Sequence, residues 1–221
     1  MTIFIAGLNI PPKFDLLYLH HNRMYIINMQ HFNEQLNKID KFLADGDYIE
    51  AADSLEGILC EEPDNTEALW RIGVAFTEMD DQIKALKALD YFFTFDMDHP
   101  EATEAYGCSH FKLGNYGLAK TYLEKASDLD PKSSSIARNL GVTYNQLGEF
   151  EKSYKIMMKS YKLNPWDYRT IYALASAHIF YKHYTEAEQL LKEMLQMDIP
   201  GDFKRLALEG RKKIEPKLNT Q

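Results

Sequence analysis

The chain repeats itself every 34 residues, and this period constrains its fold more than any other feature. Gly107 has counterparts 34 residues away on either side, Gly73 and Gly141. A second small residue recurs at the same step in five copies: Ala51, Ala85, Ala119, Ser153 and Ala187. Small residues at fixed places are typical of helices that cross closely, because no larger side chain fits between them. The period therefore predicts a tandem array of helical hairpins.

The residues around these small positions resemble the tetratricopeptide repeat (TPR) pattern. That pattern places Leu-Gly and then Tyr on a first helix, and Ala, an aromatic residue and finally Pro on a second helix. The repeat that begins at Ser134 matches it with Leu140-Gly141, Tyr144 and Pro165. The same register continues through five copies, about three-quarters of the chain. By this resemblance the chain is identified as a member of the TPR family.

The resemblance implies an all-α fold, a right-handed superhelical solenoid of tandem helix-turn-helix repeats with a C-terminal capping helix. Five repeats are predicted, at 32–65, 66–99, 100–133, 134–167 and 168–201. Residues 202–221 are expected to form the capping helix and a tail, with Asp202 as the N-cap; the alternative is a basic binding patch. Residues 1–31 are an N-terminal extension that either covers the first repeat with irregular helical turns or lies outside the folded unit.

Local chemistry predicts where the helices of each repeat end. Gly46, Gly114 and Gly148 can each close a first helix in the left-handed conformation. Prolines near the repeat ends stop the second helices, because proline supplies no backbone N–H. The second repeat has Asp80 near the place of the glycine and Met97 where proline belongs, so we expect both of its turns to be looser.

Charge and cysteine content exclude several kinds of partner and location. The formal charge of −8 argues against nucleic acid and anionic membranes as main partners, since both would repel the chain. The apolar start MTIFIAGLNI is a poor signal peptide, and no stretch reaches the ~18 apolar residues that a membrane span needs. Cys60 and Cys108 lie far apart without metal-binding spacing, which indicates reduced structural thiols. We therefore expect a cytoplasmic protein.

The sequence contains no recognisable catalytic, metal-binding or phosphate-binding motif. His110 and His178 occupy the place where the pattern has Tyr, so we interpret both as partly buried core residues. An enzyme is the least favoured class of function, and we expect no cofactor.

The resemblance also implies where a partner binds, because the first helix of each repeat lines a concave groove in this family. Transferring the groove positions to this chain predicts a peptide-binding site made by Leu36, Trp70, Val74, Glu104, Phe111, Arg138, Asn145, Arg169, Tyr172 and Phe180. Aromatic and arginine side chains are the usual anchors of interfaces. The alternative is that the N-terminal extension covers some of these residues.

The groove is predicted to carry a charge gradient. Arg138 and Arg169 lie in its C-terminal half, and four glutamates cluster toward its middle: Glu67, Glu78, Glu101 and Glu104. Some family members hold the terminal carboxylate of heat-shock chaperones with Lys and Asn. Here Glu104 and Cys108 stand at those places, so we do not expect a chaperone clamp of this type.

A dense aromatic run, Tyr91 to Phe95, is the other candidate for a contact surface. Phe92, Phe93 and Phe95 are expected to fill the core, with Tyr91 exposed on the outer side. The alternative is a second contact surface or a self-association site.

Taken together, these features favour a non-enzymatic adaptor or scaffold that holds an extended or helical segment of another protein in its groove. One alternative is a chaperone that resembles the TPR chaperones of type III secretion, although those have three repeats. Another is a structural scaffold that self-assembles by end-to-end stacking, so a homo-oligomer is possible.

Overall fold

The computed structural model describes residues 32–218, in which helices alternate with short turns. The first helices of the repeats are α1 (32–45), α3 (Thr66–Glu78), α5 (Pro100–Lys112), α7 (Ser134–Gln146) and α9 (Tyr168–Phe180). The second helices are α2 (Tyr48–Glu61), α4 (Gln82–Phe92), α6 (Tyr116–Leu129), α8 (Phe150–Leu163) and α10 (Tyr184–Leu195). Helix α11 (Gly201–Leu218) follows. Residues 32–218 contain no strand, and the expected all-α solenoid is confirmed.

The close helix crossings predicted from the glycines are confirmed. A Cβ placed on Gly73 would lie 2.5 Å from Cγ of Leu89, closer than real Cβ contacts allow. A Cβ on Gly107 would lie 2.8 Å from Cγ of Leu123, and Gly141 meets Met157 in the same way. The two helices of each of these repeats therefore touch at a point where only glycine fits.

The turns within the repeats share one backbone conformation, although only some contain glycine. Gly46, Gly114 and Gly148 have φ values of +86°, +79° and +75°, as predicted. Asp80 and Lys182 adopt φ values of +62° and +64° at the equivalent places. The expectation of a looser turn near Asp80 is therefore wrong, because a non-glycine residue has taken the left-handed conformation there.

The looser connection expected near Met97, after the second helix of the second repeat, is present. Seven residues, 93–99, connect α4 to α5, whereas four residues, 130–133, connect α6 to α7. Helix α4 ends at Phe92, so Phe95 falls outside it and is 48% exposed. The prediction that Phe95 fills the core is wrong for this reason. Phe92 is buried, Phe93 is half-buried and Tyr91 is exposed, as expected.

The curvature of the array follows from which helices meet. Helix α3 contacts α5, and α5 contacts α7, whereas consecutive second helices in the described chain make no comparable contact. The first helices are therefore the more closely spaced layer. In a curved array the closer layer lies on the concave side, so the first helices line the groove.

Helix α11 closes the C-terminal end of the array. Its buried residues Ala207 and Ile214 pack with Leu191 and Met194 of α10. The helix begins at Gly201, because the backbone N–H of Lys204 donates to the carbonyl of Pro200 at 3.0 Å. Asp202 thus lies in the first turn, and its prediction as the N-cap is wrong by one to two positions.

Candidate functional site

The N-terminal part of the concave face is held by a network of charged groups. Arg71 is 8% exposed, and its Nε lies 2.7 Å from Oδ1 of Asp40 while its Nη1 lies 2.5 Å from Oε2 of Glu67. The guanidinium also lies 4.2 Å from the ring centre of Trp70, and the centre of the His99 ring lies 4.7 Å from that of the indole. Trp70 is therefore a half-buried part of this network, with little freedom to move toward a ligand.

A polar contact between α5 and α7 occupies the middle of the concave face. Glu104 accepts hydrogen bonds from Nδ2 of Asn139 at 2.8 Å and Oγ of Ser135 at 3.2 Å. Burial raises the pKa of Glu104 above its usual value, and burial likewise raises the pKa of the Cys108 thiol one turn later. These groups link neighbouring repeats. Phe111 lies beside them, with its ring centre 5.2 Å from that of Tyr116.

Arg138 joins the fourth repeat to the fifth. Its Nη1 donates to Oδ2 of Asp167 at 2.7 Å, and the two side chains are only 17% and 10% exposed. Asp167 also accepts from Oγ1 of Thr170 and from the backbone N–H of Arg169 at the start of α9. Burial opposes ionisation of Asp167, but Arg138 and these hydrogen bonds outweigh it, so the pKa of Asp167 is lowered. Arg138 is therefore neutralised within the fold, which weakens the predicted charge gradient.

Beyond that ion pair, a cavity of about 330 Å³ separates α7 from α9. Its wall comes from three helices: Val142, Asn145, Phe150, Met157, Ala173 and Ala177. Phe180 stands at its edge, 62% exposed, with its ring centre 5.2 Å from that of Phe150. An apolar cavity beside an exposed aromatic ring is suited to receive an apolar side chain from another molecule.

A second cavity, of about 280 Å³, lies on the other side of α9. Tyr172, Ile179 and Leu191 line it, together with Lys213 of α11. Ser176 is exposed and lines both cavities, so the inner surface of α9 is a ridge between two depressions. We call this surface, made by α9 and the two cavities, the α9 site.

Charged groups from two other repeats act on the start of α2. The positive charge of Arg169 acts on the phenol of Tyr48, at the start of α2, as does the carboxylate of Glu78. Burial and Glu78 raise the pKa of Tyr48, and Arg169 opposes them.

The structure brings only part of the predicted site together. Asn145 and Phe180 line the first cavity, and Tyr172 lines the second. Val74 is half-buried against the core around Leu89. Leu36 is 8% exposed and packs with Ile39, because the apolar side of α1 faces the core. Leu36 is therefore wrong as a groove residue.

Two residues that shape the first cavity were not predicted. Ala173 and Ala177 are one turn apart on α9 and, with Ser176, place small side chains opposite Met157 and Phe150 of α8. The spacing of these small residues was visible in the sequence. The cavity forms because these side chains are too short to reach the other two helices, and the positions of those helices cannot be read from the spacing of residues in the sequence.

The histidines and cysteines of the described chain give no sign of metal chemistry. Within residues 32–218, no group of three His, Cys, Asp or Glu side chains could hold a metal ion. His178 is buried and His110 half-buried, as expected, and burial lowers the pKa of both. Cys108 is partly buried, but Cys60 is exposed on α2, so only Cys108 fits the interpretation as a structural thiol. No helix in the same range is both long and apolar enough to span a membrane.

Comparison with known proteins agrees with this architecture. A family model described as tetratricopeptide repeat matches residues 102–133 and 139–165. The BBSome complex member BBS4 of Bos taurus is 23% identical over 171 residues, which are 77% of this chain and 33% of that protein. The TPR repeat-containing protein MJ1428 of Methanocaldococcus jannaschii is 21% identical over 179 residues, 80% of this chain and 31% of that protein. The chain thus spans about a third of the length of these curated relatives.

A solved structure shares the fold at low sequence identity. The thermophilic TPR protein TTC0263 of Thermus thermophilus superposes with a TM-score of 0.70 and is 18% identical. The match covers 80% of this chain and 97% of that one. At this identity the likeness concerns the fold alone.

Proposed function

We propose that this chain, a tetratricopeptide repeat protein, is a non-enzymatic adaptor or scaffold that binds a segment of another protein at the α9 site. The observation that carries this proposal is the pair of cavities on either side of Ser176. The partner is a protein or peptide whose segment presents apolar side chains on both sides of this ridge. The five repeats and the capping helix act as one binding module, and its cytoplasmic location stays a prediction.

Exposure and charge support this site over the rest of the groove. Trp70, Glu104 and Arg138 are already bonded to neighbouring side chains, so a ligand would have to displace those contacts. Phe180, by contrast, leaves 62% of its surface exposed beside an unfilled apolar cavity. Burying exposed aromatic surface is the dominant favourable contribution at most interfaces. Arg169 is exposed at the same end of α9 and can pair with an acidic group of the segment.

The bound segment is proposed to be helical or extended rather than a folded domain. The two cavities of the α9 site measure about 330 Å³ and 280 Å³, which is room for side chains and not for a folded domain. A helix about 10 Å wide can lie along α9 and offer side chains to both cavities. Apolar residues three or four apart on that helix would reach the two cavities of the α9 site.

The test begins with affinity capture of the full chain and identification of the partner by mass spectrometry. Dissociation constants are then measured for Phe180→Ala, which removes the exposed ring, and for Ser176→Trp, which blocks both cavities from an exposed position. We expect each variant to weaken binding by about tenfold or more. Tyr91→Ala is the matched control, because Tyr91 is also an exposed aromatic residue but lies on α4. If the α9 variants bind as the parent does while Tyr91→Ala does not, the aromatic run is the site instead.

A further inference from the structure

The outer face of α8 carries a row of lysines. Lys152, Lys155, Lys159 and Lys162 are spaced by three, four and three residues, which places them on one face of the helix. Nζ of Lys152 lies 2.5 Å from Oε2 of Glu149, but the other three lysines make no ion pair with any residue in 32–218. Three like charges side by side repel one another, and no carboxylate in residues 32–218 lies within ion-pair distance of them.

The same face of α2 carries the opposite charge. Counting 102 residues back, or three repeats, the four lysines correspond to Glu50, Asp53, Gly57 and Cys60, with Glu61 next in sequence. From residue 42 to residue 70 the chain contains nine carboxylates and no lysine or arginine. Glu50, Asp53 and Glu61 are exposed, and none of them forms an ion pair within the described residues. One helix therefore presents an acidic row where the other presents a basic row.

Gly57 lies in the middle of the acidic row. A Cβ at this position would meet no atom of residues 32–218 within 4 Å, so the packing of this range does not require glycine there. Glycine weakens a helix interior relative to alanine, which makes an unneeded one unfavourable. An exposed helical glycine does, however, allow a second helix to approach the backbone closely.

We propose that α2 of one molecule binds α8 of a second copy of this chain, with the two helices antiparallel. In this alignment Glu50 faces Lys162, Asp53 faces Lys159 and Gly57 faces the long side chain of Lys155. Both helices have 14 residues, so the rows match over about 21 Å. At one end of the contact, exposed Ile49 meets exposed Leu163.

The geometry determines the kind of assembly that results. The contact joins two different surfaces, so it is heterologous and can continue from copy to copy. Both helices belong to the outer layer of the solenoid, so the groove stays open in the assembly. This surface is therefore distinct from the α9 site, and the adaptor function does not depend on it.

An anionic membrane is the competing partner for the lysine row, and the charges disfavour it. The formal charge of the chain is −8, so the molecule as a whole is repelled by an anionic surface. The neighbouring helix α10 carries Glu186 and Glu193 at the positions equivalent to Lys152 and Lys159. These carboxylates would also face such a surface. A second copy avoids this repulsion because its own acidic row is the complement.

The experiment measures the molar mass of the full chain by sedimentation velocity over a range of concentrations at low and high salt. We expect masses above 25.7 kDa that rise with concentration and fall toward 25.7 kDa as salt screens the charges. The lysine variant carries Lys155→Glu, Lys159→Glu and Lys162→Glu; the acidic variant carries Glu50→Lys, Asp53→Lys and Glu61→Lys. Each variant alone should raise the dissociation constant of self-association at least about tenfold.

The decisive measurement is the molar mass of an equimolar mixture of the lysine variant and the acidic variant. The acidic α8 row of the lysine variant complements the basic α2 row of the acidic variant, so an equimolar mixture of the two should assemble again. Variants that had lost their fold would not assemble when mixed. A parent chain that stays at 25.7 kDa at every concentration, or a mixture that fails to assemble, overturns the proposal. Binding of the parent chain to phosphatidylserine vesicles that is lost in the lysine variant would assign the row to a membrane instead.

Discussion

Replacing Gly73 by alanine should destabilise the protein through a single contact. The added Cβ would lie 2.5 Å from Cγ and 2.6 Å from Cδ2 of Leu89, and 3.2 Å from Cδ1. Leu89 is 0% exposed, so its side chain can move away from the added Cβ only by displacing other core atoms. Overpacking of this kind costs about 1–3 kcal/mol, against a gain of about 1 kcal/mol from the better helix propensity of alanine. We expect a net loss of up to about 2 kcal/mol.

The assay is urea unfolding followed by circular dichroism in the far ultraviolet, at a low protein concentration. The matched control is Gly57→Ala, also in a helix interior but with nothing within 4 Å of the added Cβ. Gly57→Ala should stabilise the protein by about 0.5–1 kcal/mol, so the two substitutions should shift the urea midpoint in opposite directions.

A second substitution isolates the contact with Leu89. Leu89→Ala alone should cost about 2–5 kcal/mol, because it opens a cavity in the core. Adding Gly73→Ala to that background should cost nothing further, since the atoms that clash have been removed. The reasoning is refuted if Gly73→Ala shifts the midpoint as Gly57→Ala does, or if its cost is unchanged in the Leu89→Ala background.

Two further predictions concern charged and titrating groups. Arg138→Ala should lower the free energy of unfolding by roughly 2–4 kcal/mol, because Asp167 would remain buried without its ion-pair partner. The affinity of the folded variant for the captured protein should not change. Unfolding and binding measurements on this variant check both results, and a stable variant with weakened binding would contradict the structural role of Arg138. Burial lowers the pKa of His110 and His178, so the unfolded chain takes up protons at a higher pH than the folded one. The free energy of unfolding should therefore fall as the pH drops below about 6.5. In the double variant His110→Phe, His178→Phe it should fall less between about pH 7.5 and about pH 5.5. Equal falls in the parent chain and the double variant would contradict this prediction.

The fold was predictable because its constraints are local and repeated. Gly73 and Gly107 recur at the repeat period, and each marks the same helix crossing. The glycine turns were predictable for the same reason. The turns at Asp80 and Lys182 were not, because aspartate adopts the left-handed conformation less readily than glycine and lysine rarely adopts it.

The candidate site was only partly predictable, because the family pattern says which face of a helix points inward but not what meets it there. Arg138 faces the groove layer, yet its charge is taken up by Asp167, 29 residues later in the chain. Leu36 is drawn into the core by the packing of α1. The first cavity forms where short side chains of α9 leave space between three converging helices. The sequence pattern does not show how these helices converge, so it does not predict the cavity.

Hydrogen–deuterium exchange of the full chain, with and without its captured partner, tests the central claim most directly. Binding at the α9 site should slow exchange in peptides that cover 171–181 and 206–213, and leave those of α2 and α4 unchanged at a salt concentration that prevents self-association. Slowed exchange in residues 91–97 or in the outer helices, with none in α9, would contradict the claim that the partner binds in the groove.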